Sequence, residues 1–188
     1  SLLGTFFVIG QNAATAEGAA LVSEAQARGH WIGNHTMTHG EPLGLLQNPE
    51  REVAEIAEAH KTIGLNAQAP RLFRPTGHGK VGQHLLSPAA YEYLQAKDYT
   101  VALWSLFVRD IKSPTDWVPR VLNRLDERDW HVLVLHDVTS GAMNSLPRFL
   151  DTTLAMGVEF VQQFPNEWTP MVEGKPGKDF AEKYVTYH

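Results

Sequence analysis

Val132-Leu133-Val134-Leu135-His136-Asp137 is a run of four apolar residues that stops abruptly at two titratable ones. A strand apolar at every position, not at alternate ones, needs cover on both faces. That is the condition of a parallel sheet layered with helices. Working outward, residues 101–104, 72–74, 31–33 and 5–9 on one side and 159–161 on the other read as further short apolar strands. Amphipathic patterns between them predict helices over residues 18–28, 49–63, 88–97, 115–128 and 145–157. The clearest is the helix that opens at Asn48-Pro49 and stops at Gly64, with an N-cap, a proline at its first position and a C′ glycine. Val53, Ile56, Ala57, His60 and Ile63 are expected to line its apolar face.

Six strands alternating with five helices specify an α/β architecture with parallel strands. Periodicity fits an open doubly wound sheet and a closed barrel equally. Beyond Pro165 the pattern changes. Residues 173–178 read as a turn or linker and 184–187 as one short strand, so residues 1–165 are taken as one domain and 166–188 as a C-terminal tail.

The chain has 188 residues, a formal net charge of -5 and no cysteine. The acidic balance speaks against a nucleic-acid partner. Without cysteine, any transition-metal site has to be built from His, Asp or Glu. No apolar run approaches the roughly 18 residues of a membrane span, so no membrane insertion is expected. Residues 2–9 lack a basic lead and read as a strand, not a signal peptide. A chain that opens almost inside a core strand is expected to have had a segment before it.

Five residues of chemical interest lie at or just beyond the carboxyl ends of expected strands. His35 and His39 follow strand 31–33, spaced so that one turn would let them share a cation. Nine histidines make one such spacing common by chance, and the pair alone decides little. Arg74 precedes Pro75, which fixes the local backbone; a guanidinium held there suits a carboxylate, and a surface ion pair is the ordinary alternative. Asp110 follows strand 101–104, and His136 ends strand 132–135. Alone, Asp110 is a loop acid, His136 a strand-end histidine tied to its loop, and Trp104 a core residue. Together these positions mark one rim of a βα fold, where active sites of such folds are built.

The order of these segments resembles a known family. Gly4-Thr5-Phe6-Phe7-Val8-Ile9-Gly10, then Gly33-Asn34-His35-Thr36-Met37-Thr38-His39, then Phe73-Arg74-Pro75, then Trp104-Ser105 through Asp110, then residues 132–137, is similar to the polysaccharide deacetylase family, the NodB-homology domain of family-four carbohydrate esterases. The resemblance runs from Thr5 to Val161. It implies a distorted (β/α)7-type barrel and a metal-dependent hydrolase that removes acetyl groups from N- or O-acetylated polysaccharide such as chitin, peptidoglycan or xylan. His35 and His39 would be two of three protein ligands to a divalent metal, best zinc. Arg74 would orient the catalytic base. His136 would be the general acid, with Asp110 tuning its pKa. Val134, where the family usually has leucine, would line the pocket for the acetyl methyl, and Trp104 belongs to the same substrate-pocket group. The partner would be an acetylated carbohydrate outside the cell or in its envelope.

The departures bear on activity. The family's Thr-Phe-Asp-Asp stretch, on the strand before residues 5–9, supplies the base and the third ligand; no Asp-Asp pair occurs in the 188 residues. Phe107 replaces a commoner acid, Ile111 a tryptophan, and Thr76-Gly77 a proline and an aromatic. The first reading is a shortened copy whose first βα unit is missing and whose activity in this form is impaired. The alternatives are a non-catalytic carbohydrate-binding relative and a hydrolase of a small non-sugar amide.

Overall fold

The computed structural model describes residues 2–65 and 70–187. In chain order its strands and α-helices are β1 (Thr5–Val8), α1 (Gly10–Ala13), α2 (Ala16–Ala27), β2 (Trp31–Asn34), α3 (Pro49–Ile63), β3 (Leu72–Phe73), α4 (Pro88–Ala96), β4 (Thr100–Val101), β5 (Leu106–Phe107), α5 (Trp117–Leu122), β6 (Leu133–Val134), α6 (Leu146–Ala155), β7 (Met171–Val172), β8 (Lys175–Pro176) and α7 (Phe180–Tyr184). They fall into two compact units: residues up to Leu103 together with those from Gln162 onward, and Trp104–Val161.

The first unit is built on a sheet of order β1-β2-β3-β4-β7-β8. Its first four strands are parallel, β1 running alongside β2 with Thr5 opposite Trp31 and Val8 opposite Asn34. β7 then pairs antiparallel with β4, Val101 against Met171. Glu173 and Gly174, at φ 47° and 71°, close the β7–β8 hairpin. Two successive left-handed residues make the tight turn whose twist matches that of the flanking strands. Residues 171–176 thus add a hairpin to the sheet, and beyond α7 Val185 makes one parallel bridge to Leu86.

Local chemistry places the helices. Thr15 accepts from Gly18 N at 3.0 Å and starts α2 two residues before the expected position. Asn48 Oδ1 accepts from Arg51 N at 3.0 Å while Glu52 Oε1 accepts from Asn48 N at 2.9 Å, a reciprocal cap that fixes the start of α3. Gly64, at φ 78°, ends it. Ser87 Oγ accepts from Ala90 N at the start of α4. The buried face of α3 differs from expectation: it is Glu52, Glu55, Ile56, Ala59 and Ile63, with Val53, Ala57 and His60 only half-buried. The helix is turned so that two glutamates face inward, where backbone and hydroxyl donors meet them. Ala59 and Ile63 then pack with Ile32, Val22 and Ala13.

The second unit pairs β5 with β6 in parallel, Leu106 against Leu133 and Phe107 against Val134. Leu106, Val108, Trp117, Val121 and Phe149 form its core. Three sequence expectations are corrected here and at its edge. The expected strand 101–104 ends at Val101, and a separate strand begins at Leu106. The helix expected over 115–128 is α5 followed by a 3-10 turn, Leu125–Glu127. Residues 159–161 form no strand; of the three only Phe160 is drawn inward, against Phe149. No described helix is long and apolar enough to cross a membrane.

Candidate functional site

In the first unit the site begins at the carboxyl end of β2. Asn34 is 0% exposed. Its amide donates to the Ile56 carbonyl of α3 at 2.8 Å, and its Oδ1 accepts from Thr36 N at 2.9 Å. The chain then turns through two residues in the left-handed region, Thr36 at φ 66° and His39 at φ 52°. His39 N donates to Thr36 Oγ1, closing the turn. The result is a loop, and it brings the His35 and His39 rings edge to face with centroids 4.6 Å apart.

His35 is oriented from behind. Its Nδ1 lies 2.7 Å from the Arg74 carbonyl oxygen. A carbonyl only accepts, so Nδ1 carries the hydrogen and Nε2 of the neutral ring is left with the lone pair. That is how a metal-ligating histidine is usually prepared. Among the described residues no group of three His, Cys, Asp or Glu is placed to hold a metal ion. The donor chemistry of the two imidazoles fits a divalent transition metal, with one protein ligand fewer than a catalytic zinc site normally has.

Arg74, one residue past β3, is buried. Its Nε donates to Ala102 O and its Nη2 to Leu103 O, both at 3.1 Å. The guanidinium carbon sits 4.0 Å from the centroid of the Phe7 ring. Burial pulls its pKa down to about 9, which still leaves it a cation at neutral pH. Two carbonyls and an aromatic face supply the compensation that a buried charge requires. These contacts fix the direction of the guanidinium. Among the described residues no carboxylate forms an ion pair with it.

In the second unit Asp110 is 0% exposed and accepts twice from one residue: Oδ2 from His136 N at 2.7 Å and Oδ1 from His136 Nδ1 at 2.9 Å. Burial pushes the Asp110 carboxyl up, but the hydrogen bonds and charge of His136 outweigh it and hold the carboxyl below its ordinary value. His136 Nδ1 is committed to this bond, which leaves Nε2 as the ring nitrogen turned away from Asp110; the side chain is 28% exposed. The Phe107 ring stands at 87° to the imidazole with centroids 6.1 Å apart. Val134, paired with Phe107 in the sheet, is half-buried, and Trp104 is buried.

Two organising residues were not singled out from sequence. Asn34 stands in the sequence only as the residue before His35. Glu55 accepts from both Thr38 N and Thr38 Oγ1 at 2.8 Å. Its spacing offered a signal, since a face through 52, 55, 59 and 63 is as good a helical stripe as the one expected.

The polysaccharide deacetylase family model matches residues 2–93, the segment that holds His35, His39 and Arg74. Over these residues the chain resembles the polysaccharide deacetylase family. Across 166 residues it is 26% identical to a peptidoglycan-N-acetylglucosamine deacetylase of Bacillus cereus, covering 84% of this chain and 71% of that one. Among solved structures it is similar to a family 4 acetyl xylan esterase from Clostridium thermocellum, crystallised with a cobalt ion: 25% identity, TM-score 0.65, covering 86% of this chain and 75% of the esterase. It also shares its fold with a CE4 family pseudoenzyme from Bacillus anthracis at 15% identity and TM-score 0.67, covering 100% of this chain and 60% of the other. The chain is therefore an α/β protein with a mostly parallel sheet, similar in fold to family-four deacetylases.

Proposed function

We propose that the chain carries metal-binding and proton-donating residues of a hydrolase that removes acetyl groups from N- or O-acetylated polysaccharide, peptidoglycan-like glycan first among them. The observation that carries this reading is the His35–His39 pair, 4.6 Å apart with His35 Nδ1 tied to a carbonyl, inside the matched segment. His35 and His39 would hold a divalent ion, and zinc or a similar borderline metal suits two imidazoles. When bound, such an ion lowers the pKa of a water and polarises an acyl carbonyl.

The remaining steps fall to the chain's own groups. His136, protonated, would give its Nε2 proton to the departing amine or alcohol. Asp110, kept ionised, would hold the ring in one orientation and stabilise the imidazolium. Arg74, locked by Ala102, Leu103 and Phe7, would present its remaining donors to a carboxylate base. Trp104 and Val134 would shape the pocket for the acetyl methyl. A glycan substrate of this kind is met outside the cell or in its envelope.

A second reading has an observation of its own. The 188 residues contain no Asp-Asp pair, and two imidazoles carry no negative charge. That donor set favours a protein that holds acetylated glycan without hydrolysing it. Acetate release from an N-acetylglucosamine oligomer and from acetylated xylan, measured with added zinc, tests both. Release that falls with His136→Ala supports the hydrolase. Binding of the oligomer with no release above background overturns it in favour of the binding protein.

A further inference from the structure

The loop that joins the two histidines is fastened by a carboxylate for which the chemistry above has no use. Glu55 sits on the buried face of α3, 8% exposed. Both of its oxygens accept from one residue, Oε2 from Thr38 N and Oε1 from Thr38 Oγ1, each at 2.8 Å. Thr38 immediately precedes His39. On either side of Met37 and Thr38 stand Thr36 and His39 in the left-handed region, which residues with a side chain rarely adopt. Such a backbone persists only where its surroundings over-determine it. The other ties hold different residues: Gly10 N donates to Thr36 O, Gln11 N to Met37 O, Thr36 N to Asn34 Oδ1, and His39 N to Thr36 Oγ1 within the turn itself. Thr38 gives both its amide and its hydroxyl hydrogen to Glu55.

We infer that Glu55 is a positioning residue: through Thr38 it sets where the His39 ring stands against His35, and with it the affinity of that pair for a divalent cation. The cation part rests on the function proposed above. A carboxylate suits the task because it offers two acceptors to two converging donors, and bonds to an ionised acceptor are roughly twice as strong as neutral ones. Glutamine at this position keeps one acceptor for Thr38 N, and its amide can donate to the Thr38 hydroxyl turned round. Glu55→Gln is thus a conservative replacement, while Glu55→Ala removes both contacts. Thr38→Ala removes only the hydroxyl contact.

The test uses the full chain with each of these substitutions, first without metal and then with zinc chloride alone, followed by NMR. Without metal, the parent chain shows a cross-relaxation contact between the His35 and His39 rings; Glu55→Ala loses it and exchanges its Thr38 amide faster. With zinc, Glu55→Ala binds about 10–100-fold more weakly, the usual cost of losing a group that orients a ligand. Glu55→Gln retains the ring contact and most of the affinity, and Thr38→Ala falls between. A folded Glu55→Ala that keeps both the ring contact and the parent zinc affinity overturns the inference. Should Glu55→Ala fail to fold, Thr38→Ala decides in the same way. Loss of the ring contact in Glu55→Ala, beside a parent chain whose histidine rings take up no zinc, supports the positioning and overturns the metal reading instead.

Discussion

Asp110 holds His136 at two points, its backbone amide at 2.7 Å and its ring Nδ1 at 2.9 Å. An asparagine in its place has one acceptor oxygen and meets only one of these donors. Asp110→Asn is expected to destabilise the protein by about 1–3 kcal/mol at pH 6, the cost of leaving a buried group unpaired. Urea denaturation followed by Trp117 fluorescence measures it.

The same pair gives a pH dependence of definite sign. The Asp110 carboxyl is held below its ordinary value, burial opposing and the His136 bonds prevailing. A depressed carboxyl contributes stability in full above its unfolded pKa, near 3.9, and loses it as pH falls through the folded value. Between pH 5 and pH 2.5 the parent chain should lose more stability than Asp110→Asn does. Equal losses in the two proteins would remove Asp110 as the titrating group.

Asn34 bridges β2 and α3 with no exposure. Asn34→Ala leaves the Thr36 amide without its acceptor and takes from the Ile56 carbonyl, inside α3, its second donor; a loss of about 1–3 kcal/mol is expected from the buried amide. Asn34→Asp keeps an acceptor for Thr36 N but sets a carboxylate against the Ile56 carbonyl. Its protonated form can donate there, so this variant should be more stable at pH 4 than at pH 7, by thermal melting at both.

Zinc retention should be weak. Two neutral imidazoles make a shorter and less charged donor set than the three ligands of a catalytic zinc site. Elemental analysis after dialysis against a mild chelator is expected to find well under one zinc per chain, and none above background in His35→Ala. Stoichiometric retention in the parent would point to a ligand not assigned above.

Phe149 packs against Trp117 and Phe160 in the second unit. Phe149→Ala should cost about 3–5 kcal/mol through lost contacts and the void left behind. Near-UV circular dichroism, sensitive to Trp117, should register it.

How much of this was legible in the sequence depended on how far each residue's partners lie. Asn48, Pro49 and Gly64 announced α3 because cap chemistry is settled within four residues. Ser87-Pro88 announced α4 for the same reason. The spacing of Glu55 allowed a buried stripe, but what makes its burial possible comes from Thr38, on a loop that only the folded chain brings near. Residues 101–104 read as one strand inside an apolar run that continues to Val108. The chain divides it: Ala102 N donates to Phe73 O, whereas Ser105 N and Leu106 N both donate to Val132 O. No local pattern encodes that change of partner. The histidine pair was legible as a spacing, but its edge-to-face meeting required two left-handed residues, neither of them glycine.

The antiparallel pairing of Val101 with Met171 has a consequence for the order in which the chain can be assembled. On a ribosome, β1 to β4 emerge in sequence and can pair in sequence, but the strand that covers the far edge of β4 is made only after all of residues 104–161. Until then β4 presents bare amides and carbonyls, the situation in which nascent strands recruit the wrong neighbour. Leu103 N, Thr100 Oγ1 and Tyr99 O, which the returning segment meets with Trp168 O, Glu173 N and Gly174 N, have no such partners in the meantime. Proteolytic trimming from the carboxyl end past Met171 would recreate that state in the finished protein, leaving the β4 edge as a template for aggregation.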